Sequence, residues 1–139
     1  MIDYQYEADF TLADQKKYTD WIKKIITSED SDLGDVSYIF CTDEYLFKLN
    51  EKYLGHRTYT DIITFDYSEE NILSGEIYIS TDRVKENAQR YNVEFDIELR
   101  RVMAHGLLHL LGYKDKSDEE KKVMRAKEDE KINMFHVKQ

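Results

Sequence analysis

The succession of strand-like and helix-like segments leaves few folds open to this chain. Short runs rich in β-branched and aromatic residues predict strands at residues 2–10, 36–41, 61–67 and 75–80. Apolar residues at helical spacing predict helices at residues 12–27, 43–53, 81–91, 95–111 and 118–134. The order β-α-β-α-β-β-α-α-α predicts one α+β domain over residues 1–139, with about five helices packed on a roughly four-stranded mixed sheet.

The connections between these segments refine the prediction. A helix joins the first two strands, which favours a parallel pair, whereas the short polar link at residues 68–74 is typical of a hairpin. Thr11, with Asp14 three residues later, resembles a capping box that starts the first helix. Gly55 and Gly112 are expected to end the second and fourth helices.

Composition narrows the class of protein. Apolar residues make up 41% of the chain and aromatic residues 13%, which excludes a disordered chain. No apolar run approaches the roughly 20 residues of a membrane-spanning helix. Cys41 is the single cysteine, so it has no disulfide partner within the chain, and we expect a cytoplasmic protein. The net charge of −9 argues against non-specific coating of nucleic acid but leaves room for a local basic groove.

Two histidines four residues apart carry the main functional signal. His105 and His109 lie on the predicted helix that ends near Leu111, and this spacing places both imidazoles on one face. Gly112 is expected to turn the chain so that Asp115 returns towards them. These offsets match the metzincin zinc motif, with Asp in place of the third His. The sequence therefore predicts one divalent ion per chain, with zinc the first choice, held by His105, His109 and Asp115.

The residue after the first histidine separates two kinds of hydrolase. Zinc peptidases carry a glutamate there as the general base, but this chain has Gly106. Three protein ligands leave a fourth position for water, which is typical of catalytic sites. The pattern predicts hydrolysis of a non-peptide substrate by a metal-bound water, with no side-chain base assigned. The alternative is a pair of core or surface histidines that binds no ion.

Four segments in a fixed order resemble one known family. They read HGLLHLLGYKD at residues 105–115, LNEKYL at 49–54, TDIITF at 60–65 and GEI at 75–77. Met124 and Glu128 then follow in an M-x-x-x-E pattern on the last predicted helix. From about residue 36 to residue 135, the chain resembles the YbeY family of bacterial single-strand-specific metallo-endoribonucleases.

The resemblance implies an endoribonuclease that acts on single-stranded RNA. It implies roles in ribosomal RNA processing, including 3′ end maturation of small-subunit 16S rRNA, and in ribosome quality control. The expected partners are single-stranded RNA, ribosomal RNA and the small ribosomal subunit. Two positions depart from the family pattern. Asp115 stands where the family has a histidine, which gives a harder donor set that can also suit other divalent ions. Leu54 stands where the family has an arginine that faces the substrate.

Several other residues are candidates for catalysis or RNA contact. Arg57 can replace the missing arginine at a phosphate, or it can be a solvated loop residue. Asp61 can act in catalysis or orient a metal ligand, or it can stabilise the turn before a strand. A basic groove for single-stranded RNA is also predicted, with a solvated helix face as the alternative. Its residues are Arg83, Lys85, Arg90, Arg100 and Arg101.

Two other functions are compatible with the sequence. One is a different zinc hydrolase with metzincin-like ligand spacing. The other is a non-catalytic ribosome assembly factor in which the metal stabilises the fold. The fold alone does not separate these functions, because the chemistry depends on the site.

Overall fold

The computed structural model describes residues 1–136 and confirms the predicted order of elements. The strands are β1 (Ile2–Glu7), β2 (Asp32–Cys41), β3 (Ile62–Asp66) and β4 (Ile72–Ser80). The helices are α1 (Gln15–Ser28), α2 (Asp43–Leu54), α3 (Thr81–Arg90), α4 (Phe95–Leu110) and α5 (Asp118–Asn133), followed by a short 3₁₀ turn at Met134–His136. None of these helices combines the length and the apolar character that a membrane-spanning helix needs.

The four strands form one mixed sheet in the order β1-β2-β4-β3. β1 and β4 both run parallel to β2, and β3 pairs antiparallel with β4. In the register of the three parallel strands, Tyr38 lies opposite Tyr4 on one side and Ile77 on the other. Helical crossovers produce the parallel pairs and a hairpin produces the antiparallel pair, as the lengths of the connections predict.

Four boundaries differ by three or more residues from the sequence-based expectation. β1 ends at Glu7 instead of residue 10, and β4 begins at Ile72 instead of residue 75. β2 begins at Asp32 instead of residue 36, because Asp32 and Leu33 pair with the start of β4 before an irregularity that precedes Val36.

The fourth difference is the start of α1, because Thr11 is not its N-cap. Asp14 holds that position in a left-handed conformation and its side chain accepts from the Lys17 N–H. The later start follows from Leu12, which is buried in the core instead of lying on the helix.

The other helix ends follow the sequence closely. The Thr42 side chain accepts from the Tyr45 N–H at the start of α2, and Gly55 ends that helix with φ +69°. Ser117 and Glu120 form a reciprocal capping box at the start of α5. These side chains satisfy backbone groups that a helix end leaves without partners.

The main core lies between one face of the sheet and most of the helices. Phe40 and Ile77 face this core, whereas their neighbours Cys41 and Tyr78 face a smaller cluster with Leu46 of α2. This division follows from the alternation of side chains along a strand. α2 therefore packs on the face opposite the main core.

Gly106 lies where α4 comes closest to the sheet. A Cβ atom at this position would lie 2.7 Å from Ile62 Cδ1 and 2.7 Å from Ile77 Cγ2. Such distances are shorter than normal van der Waals contact. The glycine therefore allows α4 to pack directly on β3 and β4, and it leaves no room for the glutamate of a zinc peptidase.

Candidate metal centre and substrate cavity

The end of α4 brings the three predicted ligands together. His105 and His109 lie one turn apart on the helix. After the helix, the Gly112 N–H donates to the His109 carbonyl and the Tyr113 N–H donates to the Leu108 carbonyl, both at 3.0 Å. This pair of bonds, with φ +102° at Gly112, is a Schellman motif. The turn returns the chain and places Asp115 beside both histidines.

The three donor atoms form a compact triangle. His105 Nε2 lies 3.0 Å from His109 Nε2 and 3.2 Å from Asp115 Oδ2, and His109 Nε2 lies 3.3 Å from the same oxygen. A tetrahedral ion with bonds of about 2.0–2.1 Å separates its ligand atoms by about 3.3–3.4 Å. Within residues 1–135, no other three His, Cys, Asp or Glu side chains bring their donor atoms within 4.8 Å of one another.

Hydrogen bonds to the other ring nitrogens fix how the imidazoles are protonated. His105 Nδ1 lies 2.6 Å from Glu128 Oε2, and His109 Nδ1 lies 3.0 Å from the Tyr113 carbonyl oxygen. Both partners accept hydrogen bonds, so each Nδ1 carries a proton, which leaves Nε2 as the nitrogen that can bind a metal ion. Two Nε2 atoms and a carboxylate oxygen thus lie within 3.3 Å of one another. This donor set fits a divalent cation.

The electrostatics around the triangle also favour a cation. Burial lowers the pKa of His105, but the hydrogen bond to Glu128 and the charges of Asp115 and Asp61 outweigh that effect and raise its pKa above the ordinary value. Burial raises the pKa of Asp61, and the nearby His105 and Arg83 only partly oppose this. Glu128 and Asp115 therefore favour positive charge at the His105 ring.

A cavity of about 470 Å³ opens next to the triangle. Loop residues 56 and 58–60, the start of β3 and α2 complete its walls. Leu54 and Asp61, which the sequence singled out, both line it, and so do His56 and Tyr59. The cavity is therefore large enough for part of a nucleotide chain beside the three donors.

Arg57 lies outside this cavity. Its guanidinium is exposed, pairs with Glu51 at 3.0 Å, and lines the neighbouring cavity. A contact between Arg57 and phosphate stays a prediction.

Three of the five predicted RNA-binding cations pair with acidic side chains. Arg83 pairs with Asp43 at 2.8 Å, Arg90 pairs with Glu86, and Arg101 pairs with Glu128 and Asp129. The Arg100 guanidinium lies 3.9 Å from the centre of the Phe135 ring, and Lys85 is exposed on α3. The Arg83 guanidinium carbon lies 5.6 Å from the centre of the ring of Tyr59, which lines the cavity beside the three donors. RNA contact by this set stays a prediction.

Comparison with known proteins identifies the family. A sequence model described as "Endoribonuclease YbeY" matches residues 3–136. The chain belongs to the YbeY family. A curated relative called endoribonuclease YbeY from Flavobacterium johnsoniae is 54% identical over 139 residues and covers 100% of both chains. Another with the same name, from Christiangramia forsetii, is 55% identical and covers 99% of this chain and 96% of its own.

A solved structure supports the YbeY fold assignment. The solution structure of a Thermotoga maritima protein superposes with a TM-score of 0.70 at 30% identity. It covers 97% of this chain and 89% of the other. The α+β fold predicted from the sequence is therefore confirmed.

Glu128 has a function at this site that sequence reasoning did not assign. Its carboxylate joins the His105 ring to the Arg101 guanidinium, which donates to Oε1 at 3.1 Å. The YbeY-like M-x-x-x-E pattern marked this position, but it gave no partner. The contact spans 23 residues between two helices, so no spacing along one helix reveals it.

Proposed function

We propose that this chain is a metal-dependent endoribonuclease whose single divalent ion is held by His105, His109 and Asp115. Membership of the YbeY family supports the activity. One structural observation supports the ligand assignment: the Nε2 atoms of His105 and His109 and the Oδ2 atom of Asp115 lie 3.0–3.3 Å apart. Two imidazoles and one carboxylate suit Zn²⁺, which we propose as the ion.

The ion supplies the chemistry of a Lewis acid, which polarises a phosphoryl oxygen and lowers the pKa of water to about 7. Other residues of the chain orient the proposed metal ligands. Glu128 orients His105, and the Tyr113 carbonyl orients His109. Asp61 lines the cavity as a carboxyl whose pKa is raised by burial. It is therefore our candidate to accept a proton during cleavage.

We propose single-stranded RNA as the substrate, with 3′ end maturation of 16S rRNA in the small ribosomal subunit as the cellular role. This proposal rests on the family resemblance, and on the same ground we propose a cytoplasmic location. If Arg57 replaces the family arginine at a phosphate, Arg57→Ala lowers the rate of cleavage. An unchanged rate removes that residue from the mechanism.

The test is cleavage of an unstructured RNA by the wild type and by Asp115→Ala, each with and without a chelator. We expect the substitution and the chelator each to abolish cleavage, and added Zn²⁺ to restore it in the wild type only. Glu119→Ala, which removes an exposed carboxylate nearby, is the matched control and keeps full activity. Equal cleavage by the wild type and Asp115→Ala would contradict the ligand assignment.

The same experiment separates the two other functions. A peptidase would require a general base after His105, where the close approach of Ile62 and Ile77 to Gly106 leaves no space. An assembly factor would bind RNA without cleaving it in any arm. Cleavage that depends on both the ion and Asp115 contradicts both alternatives.

A further inference from the structure

Tyr59 lies at the boundary between two cavities. Its side chain lines the cavity that contains His105, His109 and Asp115, and it also lines the neighbouring cavity of about 760 Å³. The residue is 59% exposed, although it belongs to a loop held at both ends by secondary structure. A ligand that occupies both cavities therefore contacts the Tyr59 side chain in each.

The ring is held in place by the protein itself. The Phe47 ring packs against it with centroids 4.7 Å apart. Arg83, fixed by its ion pair with Asp43 at 2.8 Å, lies 5.6 Å from its centre. The buried Asn50 side chain donates to the Thr58 carbonyl at 3.0 Å and so holds the adjacent backbone. A ring that is ordered before binding loses little entropy when a ligand stacks on it.

The charges nearby favour a base over a phosphate as the group that binds here. In the neighbouring cavity, Lys48, Arg57 and Arg83 are outnumbered by acidic side chains. On the other side of Tyr59, the wall continues with the apolar side chain of Leu54. A phosphate needs a surplus of cations, whereas stacking of a base on an aromatic ring does not.

We propose that Tyr59 stacks on an unpaired base of the RNA and so favours single-stranded over paired substrate. Bases within a duplex already stack on both faces and cannot reach the ring, whereas the bases of a single strand can turn outward. This inference rests on the proposed function. It adds a residue that selects the strandedness of the substrate and takes no part in binding the metal.

The test compares Tyr59→Leu with Tyr59→Phe in steady-state cleavage of an unstructured 12-nucleotide RNA by the Zn²⁺-loaded protein. Loss of one base–aromatic stack weakens binding by about 5- to 150-fold. We expect Tyr59→Leu to raise KM within that range with kcat nearly unchanged, and Tyr59→Phe to keep the wild-type KM. Tyr91→Leu, at an equally exposed tyrosine that lines neither cavity, is the matched control.

A second arm identifies the contact itself. In a series of RNAs with one abasic nucleotide each, the wild type should show one position at which the missing base raises KM. In Tyr59→Leu, the abasic RNA and its parent should have the same KM. Binding of duplex RNA should be equal in the two proteins.

The outcomes distinguish the two proposals. If the wild type shows metal-dependent cleavage and Tyr59→Leu keeps its KM, stacking by Tyr59 is wrong and the endoribonuclease assignment stands. A KM raised equally by Tyr59→Leu and Tyr91→Leu also overturns stacking. If the wild type neither binds nor cleaves RNA, the proposed function fails and this inference fails with it.

Discussion

The two sides of the substrate cavity are held in different ways. On the metal side, α4 and α5 fix the ligands through buried charged groups, since Glu128 is 5% exposed and bonds both His105 and Arg101. On the loop side, residues 55–60 are largely exposed and depend on Asn50 for their attachment. The difference teaches that the positions of His105, His109 and Asp115 depend on buried contacts between packed helices, whereas the surface proposed to meet RNA depends on few contacts.

The largest expected effect is a loss of stability when the hydrogen bonds and ion pairs of Glu29 are weakened. The Glu29 carboxylate accepts hydrogen bonds from Tyr113, Lys127 and Lys131, and Lys131 is 1% exposed. Glu29→Gln should lower the free energy of unfolding by about 3 kcal/mol, because it weakens the pairing of a buried ammonium group. Urea denaturation measures this loss. Asp20→Asn, which breaks an exposed ion pair with Lys16, should change stability by less than about 1 kcal/mol.

The same carboxylate predicts a dependence on pH. Burial raises the pKa of Glu29, but the hydrogen bonds from Lys131, Tyr113 and Lys127 outweigh it and lower the pKa to about 2, from 4.5. A lowered pKa contributes stability that is complete above pH 4.5 and is lost as the pH falls towards 2. The difference in stability between the wild type and Glu29→Gln should therefore shrink over this range. A constant difference would contradict the pairing.

The next effect concerns metal affinity. Glu128→Gln should weaken Zn²⁺ binding by about 10- to 100-fold, because it removes the charged acceptor that orients His105. Asp129→Asn is the matched control, since it removes the other carboxylate of Arg101 and leaves the His105 partner intact. Competition with a coloured chelator measures both constants. Equal affinities in the two variants would show that Glu128 supports only Arg101.

The smallest effect should come from the loop side. Asn50→Ala removes the hydrogen bond to the Thr58 carbonyl and should lower the free energy of unfolding by about 1 kcal/mol. Amide hydrogen exchange at residues 56–60 should become faster, while Zn²⁺ affinity stays within twofold of the wild type. Lys48→Ala, at an exposed position on the same helix, is the control. A large loss of metal affinity in Asn50→Ala would show that the two sides are coupled.

The sequence predicts local structure well where a single residue meets a structural requirement of its immediate neighbours in the chain. Thr42, Gly55, Gly112 and Ser117 mark helix ends because their backbone or side-chain chemistry satisfies groups within a few residues. The ligand triangle is predictable for the same reason, since four residues on a helix and one turn bring its members together. The resemblance to the YbeY family likewise rests on short segments of the sequence.

Features that depend on packing between distant elements were not predictable. Leu12 joins the core from a loop, so the first helix begins at Gln15. Two of the arginines proposed for RNA bind carboxylates that lie far away in the sequence, Asp43 for Arg83 and Glu128 for Arg101. No periodicity records such pairs, because their members come together only when the helices pack.

The Schellman turn after α4 gives the two histidines unequal tolerance to mutation. The acceptor for His105 is the side chain of Glu128, which a single substitution can remove. The acceptor for His109 is a backbone carbonyl, which every amino acid at position 113 supplies. The orientation of His109 therefore depends on the backbone shape of the turn. Substitutions of the surrounding side chains leave its hydrogen-bond acceptor in place.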